Sequence, residues 1–276
     1  MKINTHNANP NFTLVLPGPC QAACDFCFWK REKEEGAFVK SLKRVLKKLP
    51  PIISQISISG GEPTLSPVFE DTMKLIRKAK KRGQIRKVVL TTNGINLMQK
   101  DLTGIDHVNI SRHALSDTEN KEIFKTKNVP SIKELKEITK YVNKFGIDVN
   151  FNIVLTEGAN ISNATCWASF AKELNVNSLT FRNQYGCYDQ SKIQLDIIEE
   201  GYKPASISEC PVCKTVVYFF EGMKFKFHAS DYEPTESDKF DSDEVYELIL
   251  QPTGDLTRDW EAKKIILKRK VRNEKK

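Results

Sequence analysis

Between Phe12 and Phe181 the chain alternates strand-like and helix-like runs, and that alternation limits the fold more than any other feature. Phe12 to Leu16 is a short apolar run stopped by Pro17 and Gly18. In "FVKSLKRVLKKLP", Phe38, Leu42, Val45, Leu46 and Leu49 recur at helical spacing before Pro50 and Pro51 end the helix. Ile52 to Ser59 alternates like a strand, and the next helix is expected to open with Ser66 as N-cap and Pro67 in its first turn, and to close at Gly83. Strands "KVVLTT" and "HVNIS", helix "SIKELKEITKYVNKFG", strand "DVNFNIVL", helix "SNATCWASFAKELN" and strand "SLTF" continue the series. Six strands joined by helix-length connections imply parallel pairing with right-handed crossovers. Six units fall short of a closed eightfold barrel, so the expected fold is α/β, a partial (β/α)6 TIM-type barrel. Chemistry in such folds gathers at the C-terminal strand ends. There the chain carries a cysteine loop, then "GGEP", "TNG", "SRH" and "TEGAN".

Beyond Tyr185 the alternation stops. "TVVYFFEGMKFKFHAS" reads as a β-hairpin turning at Glu221-Gly222. The expected organisation is a lead-in over 1–11, the barrel over 12–185, a small C-terminal extension over 186–262 and a basic tail over 263–276. Of the net charge of +8, the tail supplies +7, eight Lys or Arg against Glu274. The rest of the chain is therefore near neutral, which weakens a nucleic-acid reading. "KKIILKRKVRNEKK" is expected to be a solvated C-terminal helix, with a phosphate-binding tail as the alternative. The apolar run before Pro17 is too short for a signal segment and no later run could span a bilayer, so the expectation is a cytoplasmic protein without a membrane partner. Seven cysteines in a reducing compartment point to metal ligands or catalytic thiols.

Three of the seven, Cys20, Cys24 and Cys27, lie within eight residues. Structural zinc takes four protein ligands, and no fourth is nearby. A cubane iron-sulfur cluster on three thiolates, with one iron left open, fits better. "CQAACDFC" has the C-x3-C-x2-C spacing, with aromatic Phe26 before the last cysteine, and resembles the signature of the radical S-adenosylmethionine (SAM) enzymes. The resemblance extends over roughly residues 10 to 185. Gly60, Gly61 and Glu62 of "GGEP" match the motif that holds the SAM amino group. Thr92 and Asn93 of "TTNG", with Ser111 and Arg112, fall where the family places contacts to ribose and carboxylate, and "NIVLTEGAN" from Asn152 looks like the fifth-strand segment of the subgroup containing the molybdenum-cofactor cyclase and peptide-maturing enzymes. Phe26 is a candidate surface for adenine, and Trp29 and His113 are weaker site candidates. The resemblance implies a [4Fe-4S] cluster, SAM bound at the open iron, an electron donor such as flavodoxin or ferredoxin, and reductive cleavage to a 5'-deoxyadenosyl radical that abstracts hydrogen from substrate.

Among the other cysteines, Cys166 beside Trp167 is expected to be a buried inert thiol. Cys210 and Cys213 form C-x2-C ahead of the hairpin, and part of the superfamily holds an auxiliary cluster in an extension of this shape. Here His228 stands where a further cysteine would be expected, so Cys187, Cys210, Cys213 and His228 form a candidate second site for iron-sulfur or zinc. The substrate is left open among a nucleotide, another small molecule, RNA and a peptide. A purine-nucleotide cyclase is disfavoured because that family typically ends in Gly-Gly and this chain ends "NEKK", and a peptide modifier because little chain precedes Phe12. Two rivals are a non-catalytic iron-sulfur redox or sensor protein, which needs no cofactor pocket, and a zinc module binding nucleic acid, which needs a spread basic surface.

Overall fold

The computed structural model describes residues 3, 5, 10–27, 37–155, 163–184, 192–209, 213–230, 245, 248–260, 262–263 and 265–269. Strand β1 (Asn11–Leu16) leads through α1 (Phe38–Leu46) to β2 (Ile53–Gly60), and α2 (Phe69–Lys81) connects β2 to β3 (Ile85–Thr92). After β4 (His107–Ser111) come two helices, α3 (Asp117–Phe124) and α4 (Ile132–Asn143), then β5 (Asp148–Leu155), α5 (Ala164–Glu173) and β6 (Ser178–Asn183). The six strands lie side by side in chain order, all parallel. This is the partial TIM-type barrel that the alternation predicts.

Alternation along each strand separates two unlike faces. Ile56, Ile58, Val88, Leu90, Phe151 and Phe181 turn outward and share one core with the apolar faces of the helices. The opposite face is built largely from Ser, Thr and Asn. Helix α4 starts cleanly because Ser131 and Glu134 form a reciprocal capping box. Ser66, by contrast, does not cap α2, which begins three residues later; its hydroxyl donates to the Pro17 carbonyl at 2.5 Å. Cys166 is exposed, against expectation, because Trp167 takes the buried side of α5.

The C-terminal region is not a separate appendage. After α6 (Lys192–Glu199) come β7 (Ser206–Glu209), β8 (Cys213–Phe220) and β9 (Met223–Ser230), with the hairpin turning where expected, at Glu221 (φ 47°) and Gly222 (φ 73°). Strand β9 pairs parallel with β6 and so extends the barrel sheet. On the far edge β10 (Leu248–Leu250) pairs parallel with β1, followed by β11 (Leu256–Thr257) and β12 (Ile265–Leu267). The boundary expected at 185 thus divides the chain without dividing the twelve-stranded sheet. The expected tail helix begins as strand β12, because Ile265, Ile266 and Leu267 pair with the edge that β11 offers. No helix among the described residues is long and apolar enough to cross a membrane.

Gly60 closes β2 opposite Leu16, the last residue of β1, with φ 143°. A Cβ there would sit 2.5 Å from the Leu16 carbonyl oxygen and 2.9 Å from its nitrogen, both fixed backbone atoms. Gly60→Ala should therefore lower stability by roughly 3 kcal/mol, read as an earlier urea midpoint. An unchanged midpoint would show that the two strands do not need this approach.

Candidate active site

The C-terminal ends of β1, β2 and β3 meet at one buried carboxylate. Glu62 is 2% exposed, and its Oε1 accepts from Thr64 N (3.0 Å), Thr64 Oγ1 (2.8 Å) and Thr92 Oγ1 (2.6 Å). Its Oε2 accepts from Asn93 N (2.8 Å). Burial pushes the carboxyl above its ordinary range, and the donors from Asn93, Thr92 and Thr64 pull it back. Thr92 Oγ1 accepts in turn from Gly94 N, and Asn93 Oδ1 from Ile95 N. The carboxylate expected to meet an ammonium is therefore already engaged in holding "GGEP" to "TTNG". What remains for a ligand is the uncommitted side of Oε2 and the main chain of Gly60 and Gly61.

The same turn holds the cysteine loop from one side. Glu62 N donates to the Pro19 carbonyl at 3.1 Å, and Gly18 lies so close to Ser66 that a Cβ would come within 3.1 Å of its Cα. From the other side, the segment after α3 grips the loop. Ala23 N donates to the Phe124 carbonyl (3.0 Å), Gln21 Nε2 donates to the Asn128 carbonyl (3.2 Å), and Asp25 pairs with Lys125. Ala22, Phe124 and Val129 bury together, with Cys20 and Cys24 packed against them. Sequence reading missed this second grip because α3 carries a weak apolar pattern, with only Asn120 and Phe124 buried.

Cys20, Cys24 and Cys27 form no disulfide; the first two are half-buried and the third is exposed. Cys27 N donates to the Cys24 carbonyl at 3.1 Å, which tightens the second half of the loop. Burial, then the neighbouring Cys27 and Cys20, push the Cys24 thiol up to about 12. Each thiolate thus makes the next harder to form, a conflict that a bound cation removes. Among the described residues no three Cys, His, Asp or Glu side chains converge on a single ion. Tetrahedral zinc, with bonds of about 2.3 Å, would require such convergence. A cubane binds each thiolate to a different iron and does not require that convergence.

The remaining candidates part company. Phe26 is half-buried and meets the His113 ring edge-on at 5.0 Å. Ser111 and Asn152 are neighbours across β4 and β5 on the inner face of the sheet, and Asn152 Oδ1 accepts from Arg182 Nε at 2.8 Å. Arg112 does not reach the inner face. At 1% exposure its guanidinium donates to the carbonyls of Ala114, Leu115 and Pro130 and to Asp117, so it is turned to its own loop and away from the face where the expected cofactor carboxylate would lie. His113, 3% exposed, packs its ring between Phe26 and Phe124 while Nδ1 accepts from Val154 N at 3.1 Å. Burial, followed by the nearby Arg112 charge, lowers its pKa to about 3, so it is a neutral brace behind the cysteine loop.

Trp29, Cys187 and Cys210 lie outside the described residues, as does the side chain of Cys213. The main chain of Cys213 opens β8, two residues before Thr215, which pairs with His228. His228 Nδ1 lies 2.9 Å from Thr215 Oγ1, and burial, then Arg182, lowers its pKa to about 3. A neutral imidazole is the form that ligates metal.

Comparison with known proteins identifies the family. Residues 15–164 match the radical SAM superfamily profile. A probable GTP 3',8-cyclase of Methanococcus maripaludis is 33% identical over 150 residues, 51% of this chain and 49% of the relative. One from Sulfurisphaera tokodaii is 31% identical over 175 residues, 60% of this chain and 53% of the relative. The chain thus spans about half the length of the curated relatives it matches. Streptococcus suis SuiB, solved bound to its precursor peptide SuiA, superposes with a TM-score of 0.60 at 16% identity, over 97% of this chain and 63% of that one. That likeness speaks to the fold, while the profile covers more than half of the chain and includes the cysteine loop, the Glu62 joint and strands β2 to β5. The chain belongs to the radical SAM superfamily of enzymes, whose chemistry uses a [4Fe-4S] cluster and SAM.

Proposed function

We propose that Cys20, Cys24 and Cys27 hold the cluster, leaving one iron for SAM, and that the enzyme abstracts hydrogen from a substrate lying against the inner face of the half barrel. One observation carries the reading. The cysteine loop follows β1 and is stitched on one side to the Glu62 turn and on the other to the Phe124 segment, which supports a cluster held at that end of the strands. When bound, the reduced cluster supplies the electron that cleaves a carbon-sulfur bond of SAM. The chain's own part is orientation and exclusion of water. Gly60 and Gly61 present main chain to the SAM amino group, Thr92 and Asn93 line the next loop, Ser111 and Asn152 face the reacting end, and Phe26 offers an apolar surface to adenine. An electron donor of flavodoxin or ferredoxin type would approach from the exposed Cys27 side.

The substrate stays within the range of nucleotide, other small molecule, RNA and peptide. The likeness to probable GTP 3',8-cyclases favours a nucleotide. Cys187, Cys210, Cys213 and His228 are proposed as a second cluster or zinc site, supported by the short step along β8 from Cys213 to the partner of His228.

Anaerobic reconstitution followed by reductant and SAM should yield 5'-deoxyadenosine, with at least a hundredfold loss in Cys20→Ala, Cys24→Ala or Cys27→Ala. No product from a cluster-loaded wild type would overturn the proposal. Iron and sulfide should amount to two clusters and fall to one in the double variant Cys210→Ala, Cys213→Ala if the second site is a cluster; a single zinc would be lost instead, and unchanged metal content would eliminate it. Glu62→Gln, which turns an amide N–H toward donors that need an acceptor, should reduce stability by about 3 kcal/mol and weaken SAM binding, read by calorimetry. Binding and melting equal to wild type would contradict the role given to Glu62.

A further inference from the structure

A closed barrel fills its interior with branched apolar side chains, and this one does not. Across β4, β5, β6 and β9 a single row on the inner face reads Ser111, Asn152, Thr180, Lys226. The row beneath it reads Asn109, Asn150, Ser178, Lys224. Such a surface cannot form a dry core, so it is suited to water or to a hydrogen-bonding ligand.

Cations outnumber carboxylates near it among the described residues. Lys226 Nζ is partly buried and donates to Ser178 Oγ (3.1 Å) and Asn150 Oδ1 (3.4 Å), both neutral partners. Among the described residues no carboxylate lies within ion-pair distance of Lys226, Lys224 or Lys87. Burial, then Lys224, Lys87 and Arg182, push the Lys226 amine down to about 8, opposed by Asp148 at the start of β5. The same field reaches His107, whose pKa is lowered to about 4 by burial and then by Lys226 and Lys87. An ammonium that is desolvated, has no ion-pair partner among the described residues and sits among other cations costs the fold stability. A bound anion would reverse that cost.

We infer that Lys226, with Lys224 and Lys87, forms an oxyanion subsite on the inner face of the barrel, taking a phosphate or carboxylate group of a small polar substrate. This deepens the proposed function, resting on the reading of the inner face as the substrate chamber. The ligand's anionic end lies toward the N-terminal half of the strands, because Lys226 Nζ reaches down to Ser178, the first residue of β6. Its reacting end then points up the Ser111 and Asn152 row toward the cysteine loop. Lysine serves here as a point charge on a long stem, which suits a flexible phosphate more than a fixed bidentate clamp.

The test is calorimetric titration of the cluster-loaded protein with inorganic pyrophosphate and, separately, with citrate. Saturable binding of either is expected, and the preferred anion distinguishes a phosphate from a carboxylate source. Lys226→Met should weaken that binding about tenfold or more while leaving melting temperature unchanged or higher. Asp148→Asn, at an exposed position, should tighten it about threefold by removing the opposing charge. Absence of saturable binding by wild type overturns the inference, as does wild-type affinity in Lys226→Met; if that variant does not fold, unchanged affinity in Asp148→Asn decides against it. The readout is independent of SAM cleavage. A protein that binds pyrophosphate at Lys226 without cleaving SAM would refute the proposed SAM cleavage and leave this subsite standing.

Discussion

The Glu62 carboxylate is the joint on which the rest of the site depends. It is a fully desolvated acid, and its four hydrogen bonds come from three places: its own turn, the side chain of Thr92 and the main chain of Asn93. A buried charge is tolerated only when its lone pairs are met, so the joint has very little freedom to move. Through Glu62 N and the Pro19 carbonyl that fixity passes directly to the residue before Cys20. The strand ends and the cysteine loop are thereby locked into one body.

This arrangement accounts for residue choices that otherwise look incidental. Gly60 is glycine because β1 backbone occupies the place of a Cβ. Ser66 gives up a helix cap to hold Pro17, and Gly18 permits the approach that makes the contact. His113 sits in an apolar slot between Phe26 and Phe124, where burial and the Arg112 charge favour its neutral form and its ring supports the loop. Burial, and then mutual repulsion, oppose ionisation of the Cys24 thiol, a demand that the proposed cluster would meet.

Much of this was legible in the sequence, for a physical reason. Strands β1 to β6 are short apolar runs bounded by Gly, Pro and caps, and their period differs from that of the helices between them. The three-cysteine spacing and "GGEP" could be placed at the strand ends on that basis alone. The errors arose where a residue's partner lies far away in the chain. Arg112 reads as a free loop cation, yet it is consumed by carbonyls of its own loop and by Asp117. The C-terminal region reads as an appendage because a hairpin looks self-sufficient, and only the pairing of β9 with β6 and of β10 with β1 joins it to the barrel. Lys226 was invisible for the same reason: alternation in "KFKF" gives its face, but not what the face meets.

The central claim is that three thiolates leave one iron open to SAM beside the Glu62 joint. Electron paramagnetic resonance of the reduced, reconstituted protein, recorded before and after SAM is added, tests it most directly. A new ligand on one iron changes the electronic environment of the whole cluster, so the account predicts shifted g-values on addition of SAM. A spectrum that SAM leaves unchanged would mean that all four irons are already ligated, and would contradict it.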